Sequence, residues 1–148
     1  MIRTWTISTA LAAVVALATP VVAQDGATVM ATESEEYGEY LTDGEGRTLY
    51  LFTTDTQGTD DADAKISCTG GCLQAWPPLY AEDDPEAGDG VDASMLGTVE
   101  HDGKQMVTYN GWPLYYFAKD EGSGEARGQG MGGKWYLVSP EGEKIEQK

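Results

Sequence analysis

Apolar positions along this chain come in short runs rich in Leu, Val, Tyr and Phe, separated by Gly paired with Asp or Asn. That punctuation announces hairpins, because two-residue hairpin turns need backbone angles that Gly, Asn and Asp tolerate. The stretch EYLTDGEGRTLYLFTTD (Glu39–Asp55) predicts two strands around Asp43-Gly44-Glu45-Gly46. VEHDGKQMVTYNGWPLYYF (Val99–Phe117) predicts three, turned at Asp102-Gly103 and Asn110-Gly111, and WYLVSPEGEKIE (Trp135–Glu146) a last pair turned near Glu141-Gly142. No segment carries the period of a long amphipathic helix. The pattern predicts an all-β fold, a single small domain of hairpins and meanders. Two long excursions rich in Asp, Gly and Ala, Thr56–Cys72 and Glu82–Met95, interrupt it. Loops of that length inside a compact domain need a tether or a function.

The beginning of the chain has a different texture. Arg3, the apolar run ALAAVVALA (Ala10–Ala18), Pro20 and the small residues Val21 and Ala23 predict a secretory signal peptide over residues 1–23. No cysteine follows the apolar run to accept a lipid, so the expected mature protein is exported, periplasmic or secreted, soluble and not lipidated. Residues 24–36, polar and ending in Glu33-Ser34-Glu35-Glu36, read as a disordered acidic leader, with the β-rich domain at 37–148. The formal net charge of −16 becomes one unit more negative once Arg3 is removed. Such a surface repels phosphate backbones and anionic head groups, which argues against nucleic-acid partners. An envelope protein or a cationic partner remains compatible with it.

An internal echo organises the domain. LYLFTTD (Leu49–Asp55) matches LYYFAKD (Leu114–Asp120), and in each case a Gly-containing loop leads on to a tryptophan, Trp76 or Trp135. Gly128 and Gly132 sit four apart shortly before Trp135, roughly where Cys68 and Cys72 sit before Trp76. Two diverged half-repeats follow, about 37–80 and 97–142. The paired motifs Tyr50-Phe52-Asp55 and Tyr115-Phe117-Asp120, with CTGGCLQAWPPL after the first and GQGMGGKWYLVSP after the second, resemble the bacterial "secreted repeat of unknown function" family. Its members are often predicted envelope lipoproteins sharing a Tyr-x-aromatic-x-x-Asp motif. The resemblance covers about Tyr37–Gly142 and implies an exported β-rich module with no established biochemical role.

On a strand, residues two apart share a face. Tyr50 and Phe52 therefore point one way and Leu49 and Leu51 the other, which predicts burial on both sides. Asp55, and Asp120 in the second copy, are then placed to accept N–H bonds of the following turn. The functional alternative is a groove between the repeats lined by Tyr50, Tyr115, Asp55 and Asp120. Trp76, Trp112 and Trp135 are expected as core aromatics, their polar tips reaching the surface.

The two cysteines leave three possibilities open. An oxidising compartment and a short loop favour a disulfide staple between Cys68 and Cys72. A copper site is the second, completed by His101, the only histidine, or by Met95, Met106 or Met131. A catalytic dithiol is the third, weakened by Gly70-Gly71, which disfavour the helix such sites use. The acidic loops fail the EF-hand pattern, since counting from Asp55 places Asp60 where Gly is required and Ile66 where Glu is required. GSGEARGQGMGG (Gly122–Gly133) lacks a phosphate loop's Gly-Lys-Ser/Thr ending. The expectation is thus a non-enzymatic binding or structural module without a cofactor. The alternatives are a copper or thiol-redox accessory protein and, third, an enzyme with an inter-repeat aromatic groove.

Overall fold

A computed structural model describes residues 27–146; the expected signal peptide lies outside the described residues. Nine short strands carry the fold. They are β1 (Thr28–Ser34), β2 (Gly38–Asp43), β3 (Tyr50–Phe52), β4 (Tyr80–Ala81), β5 (Glu86–Ala87), β6 (Leu96–His101), β7 (Lys104–Tyr109), β8 (Trp112–Pro113) and β9 (Trp135–Leu137). The one α-helix among the described residues, α1 (Gly71–Ala75), is a little over one turn long.

The expected turns are present. Asp102 and Gly103 adopt φ of 52° and 75°, and Asn110 and Gly111 51° and 80°, so both turns have positive φ at both central residues. They join β6, β7 and β8 into an antiparallel meander with β4 on the far side of β7. At the β2–β3 turn the Asp43 carboxylate accepts the Glu45 and Arg47 N–H groups, each at 2.9 Å.

Residues 24–36 require a correction. Thr28–Ser34 is not a disordered leader but strand β1, paired antiparallel with β2 from Val29–Asp43 to Ser34–Gly38. The segment is polar on average, yet Val29 is fully buried, and the strand's backbone groups are satisfied by β2 on one side and by the 86–89 segment on the other. Polarity averaged over the segment hid one side of a strand. Repeat 1 accordingly begins before Tyr37, in register with β6 of repeat 2.

The two repeats are related by an approximate two-fold axis that passes between Tyr50 and Tyr115. Tyr50 N–H donates to Tyr115 O at 2.8 Å, and Tyr115 N–H to Tyr50 O at 2.9 Å. Other backbone bonds come in matched pairs. Leu41 N–H to Val138 O mirrors Val107 N–H to Leu79 O, and Thr53 N–H to Lys134 O mirrors Ala118 N–H to Ala75 O. Each bond joins one repeat to the other or repeats the same step in the other copy, so the closing strands are exchanged. β9 of repeat 2 pairs with β3 of repeat 1, whereas the Trp76–Pro78 segment of repeat 1 runs beside Tyr115 of repeat 2.

The Leu-Tyr-x-Phe strands separate two cores, as their alternation predicts. Leu49, Leu51 and Leu114 face an aliphatic cluster with Val29, Val107 and Val138. Tyr50, Phe52, Tyr115 and Phe117 face an aromatic cluster with Trp76 and Trp135. Trp112 is a correction to the expected aromatic core. It is half-buried on the rim of the aliphatic cluster, where β8 ends the meander, while Trp76 and Trp135 are 5% and 6% exposed.

Candidate functional site

The repeated residues converge at the two-fold axis. Phe52, Trp135, Trp76 and Phe117 form a four-ring stack, with centroids 4.1, 3.8 and 4.2 Å apart in that order. The two indoles at its centre are parallel to within 2°. Tyr50 presents its ring edgewise to Trp76 at 5.3 Å, and Tyr115 does the same to Trp135 at 5.1 Å. T-shaped pairs at these spacings each add about 0.5–1.5 kcal/mol beyond the area they bury.

The motif tyrosines and aspartates pair across the axis. Tyr50 OH donates to Asp120 Oδ2 at 2.6 Å, and Tyr115 OH to Asp55 Oδ2 at 2.6 Å. Each aspartate's other oxygen secures the loop that follows its own motif. Asp55 Oδ1 accepts the Ser67 N–H at 2.7 Å and the Ser67 hydroxyl at 2.9 Å, and Asp120 Oδ1 accepts the Arg127 N–H at 2.9 Å. The N–H bonds were expected from the adjacent turn; in fact the donors lie at the far end of each loop. Tyr50 OH also accepts the Gly128 N–H at 3.1 Å. Ser67 and Arg127 directly precede Cys68 and Gly128, so the correspondence drawn between those two positions holds in three dimensions.

Burial governs the electrostatics. It pushes the Tyr50 and Tyr115 phenols well above the ordinary tyrosine range, reinforced by the carboxylate each one faces. Burial likewise raises the Asp120 carboxyl, partly opposed by the bonds from Tyr50 and Arg127. A third pair escaped the sequence reading: Tyr116 OH donates to Asp43 Oδ2 at 2.8 Å, and burial raises that phenol too. Arg47 lies over the Tyr116 ring at 4.2 Å and opposes the rise. The double Leu-Tyr-Tyr-Phe run of the second copy was the available signal, since Tyr116 stands where the first copy has Leu51.

Cys68 and Cys72 are joined in a disulfide with their Cα atoms 5.3 Å apart. They do not share a helical face: Cys68, fully buried in the aromatic cluster, precedes α1, and Cys72 lies within it. Of the copper alternative's other residues, Met106 shares a cluster with Cys68 and the rest lie elsewhere. Met106 is buried in the aromatic cluster, Met95 packs on the aliphatic one, and Met131 is 40% exposed. His101 ends β6 opposite Lys104, its Nε2 buried and 3.4 Å from the Asp102 carboxylate. Among the described residues no three His, Cys, Asp or Glu side chains are grouped to hold a metal ion. Of the residues expected to line a groove between the repeats, Tyr50 and Tyr115 are fully buried and Asp55 nearly so, against the stacked indoles.

These features define a two-repeat β module whose halves exchange closing strands around a shared aromatic core. Residues 31–80 and 98–139 match the family described as a secreted repeat of unknown function, and the chain belongs to it. Both matches begin at equivalent places, since Ala31 pairs with Leu41 as Thr98 pairs with Val107. Comparison with curated proteins and with solved structures finds no match. Among the described residues no helix is long and apolar enough to cross a membrane.

Proposed function

We propose that this protein is an exported, non-catalytic module whose motif residues build a rigid scaffold and whose role is exercised by binding a partner at its surface. The crossed pairing of Tyr50 with Asp120 and Tyr115 with Asp55 supports this most directly. Acid–base or nucleophilic catalysis needs a group that can reach a substrate. Here both oxygens of each motif carboxylate accept bonds from the protein itself, and the phenols face a stack of rings.

Stability distinguishes a scaffold from an active site. Groups kept for catalysis are held at some cost in stability, so replacing them often stabilises a fold. Groups kept for structure do the opposite. Tyr115→Phe and Asp55→Asn, measured by urea unfolding, should each lower stability by about 1.5–3 kcal/mol, the worth of a bond to a charged acceptor. Variants more stable than the parent would overturn the scaffold reading and restore the inter-repeat enzyme.

A copper or thiol-redox accessory role is the second reading, favoured by Cys68 and Met106 lying in one cluster. Intact mass with and without reduction, followed by anaerobic copper titration, separates the two. Free thiols in freshly exported protein with stoichiometric copper uptake would replace the binding module by the copper protein. An oxidised pair, without tight copper binding after reduction, leaves the binding module standing.

A further inference from the structure

The two-fold relation exposes one difference between the repeats. In repeat 1 the outer edge of β1 is covered by the chain itself. Ala31 N–H donates to Asp89 O at 2.8 Å, Gly88 N–H donates to Val29 O at 2.7 Å, and β5 runs parallel to β1. The matching edge in repeat 2 belongs to β6, where Thr98 stands for Ala31. Val107 N–H points away from β6 toward Leu79, so Thr98, its register partner, points its own N–H and C=O outward. Among the described residues β6 pairs with β7 alone. The chain end equivalent to β5 is used elsewhere, with Lys144 bridging Val138 and Ile145 N–H donating to Leu137 O.

An open edge is a template for another strand, and proteins ordinarily blunt one with Pro, Lys or a bulge. β6, Leu-Gly-Thr-Val-Glu-His, has no Pro or Lys and pairs with β7 without a break in register. It borders a groove of about 500 Å³ whose opposite wall is the 57–64 loop. Asp60 and Asp63 line that wall, and no Lys or Arg lines the groove. Glu100 on β6 is exposed as well.

We propose that the outer edge of β6 and this groove accept an extended, Lys- or Arg-rich segment of a partner protein, added as a parallel strand. This rests on the binding reading above and names its site and partner chemistry. The covered edge of β1 shows which kind of occupant the geometry takes: an extended segment that accepts the outward N–H of the residue equivalent to Thr98. The acidic wall selects its charge, and the chain's formal net charge of −16 disfavours a second copy of itself. Main-chain bonds supply the affinity in this mode and the wall supplies specificity.

The test uses the mature protein and an acetylated seven-residue peptide alternating Lys and Val, with a Glu and Val peptide as charge control. Amide exchange in the free protein should be slow at Ala31 and fast at Thr98. The Lys peptide should protect the Thr98 amide and shift β6 and 57–64 resonances, while the Glu peptide should not. Thr98→Pro, which removes an outward N–H that an edge strand can do without, should weaken binding at least about tenfold. Asp60→Asn with Asp63→Asn should weaken it severalfold and flatten its salt dependence, a readout that survives if the proline variant fails to fold. Absence of Lys-peptide binding, shifts centred away from β6, or equal affinity of either variant would overturn the proposal. Concentration-dependent protection of Thr98 with self-association would overturn it in favour of a second copy. None of these outcomes bears on the stability test of the scaffold.

Discussion

Gly128 is the sharpest place to test the aromatic core, because a single methyl group there meets an immovable neighbour. It occupies the corner that Cys68 occupies in the first repeat, and its φ is not in the positive range. On conformational grounds alone Gly128→Ala would stabilise, by about 0.4–1 kcal/mol, through the unfolded chain. The structure demands the reverse. A Cβ at this position would lie 2.6 and 2.8 Å from Trp76 Cη2 and Cζ3 and 3.0 Å from Tyr50 Cε1. Carbon atoms at rest sit roughly 3.5–4.0 Å apart, so about 1 Å of space must be made. Trp76 cannot give it, being held between Trp135 at 3.8 Å and Phe117 at 4.2 Å. Overpacking costs about 1–3 kcal/mol, and displacing Tyr50 also loosens its bond from the Gly128 N–H. A net loss near 2 kcal/mol is expected, read as a lower urea midpoint at unchanged slope. Trp76→Phe shortens the obstructing ring, so the double variant should lose at least about 1 kcal/mol less than the two single losses combined. Gly128→Ala as stable as the parent, or strict additivity with Trp76→Phe, would refute the stack as the constraint.

Three further measurements probe other parts of the argument. Reducing the Cys68–Cys72 bond should lower stability by about 2 kcal/mol, the chain-entropy value for so short a loop, without unfolding the protein; complete unfolding would mean that the bond carries the fold. Alkaline titration followed by tyrosinate absorbance should show Tyr50, Tyr115 and Tyr116 silent until the fold opens. Their raised folded-state values mean that stability falls as pH rises above the ordinary tyrosine value of 10.0, so ionisation before loss of circular dichroism would contradict their burial. Asp120 is also raised, so the folded state holds its proton more firmly and its contribution weakens as pH climbs from 3.8 through the folded value. Asp120→Asn should remove that slope from the pH–stability profile, and an unchanged profile would show that the carboxyl is not shifted.

The turns were legible because only a few residues accept positive φ at two successive positions, and Asp102-Gly103 and Asn110-Gly111 declare it. Two-sided burial of Leu49–Phe52 was legible because apolar side chains on both faces of a strand leave no face for water. The crossing of the repeats was not. When two copies carry the same motif, a tyrosine bonded to its own aspartate and one bonded to the other copy's leave the same sequence. Only the closure of the strands decides between them. Strand β1 was hidden for a related reason: its pattern is polar on average, and its partner β2 supplies what its composition does not. Trp112 shows the limit of residue type, since its position beside Pro113 at the end of a meander places it on the rim.

The crossing has a consequence for how such a chain can change. Each repeat's tyrosine, aspartate and closing strand are completed by the other, so the axis tolerates little variation: altering one copy strands a buried group in its partner. At the corners before Trp76 and Trp135 and at the outer strand edges the copies differ. One corner is fixed by Cys68 and Cys72, the other by Gly128, and one outer edge is covered by β5 while the other, at β6, is left open. If the module acts by binding, specialisation belongs at these unmatched places. Exchanging the covered and open edges, by Thr98→Pro on one side and by releasing the 86–89 segment on the other, should then move partner binding from repeat 2 to repeat 1 and leave the aromatic core intact.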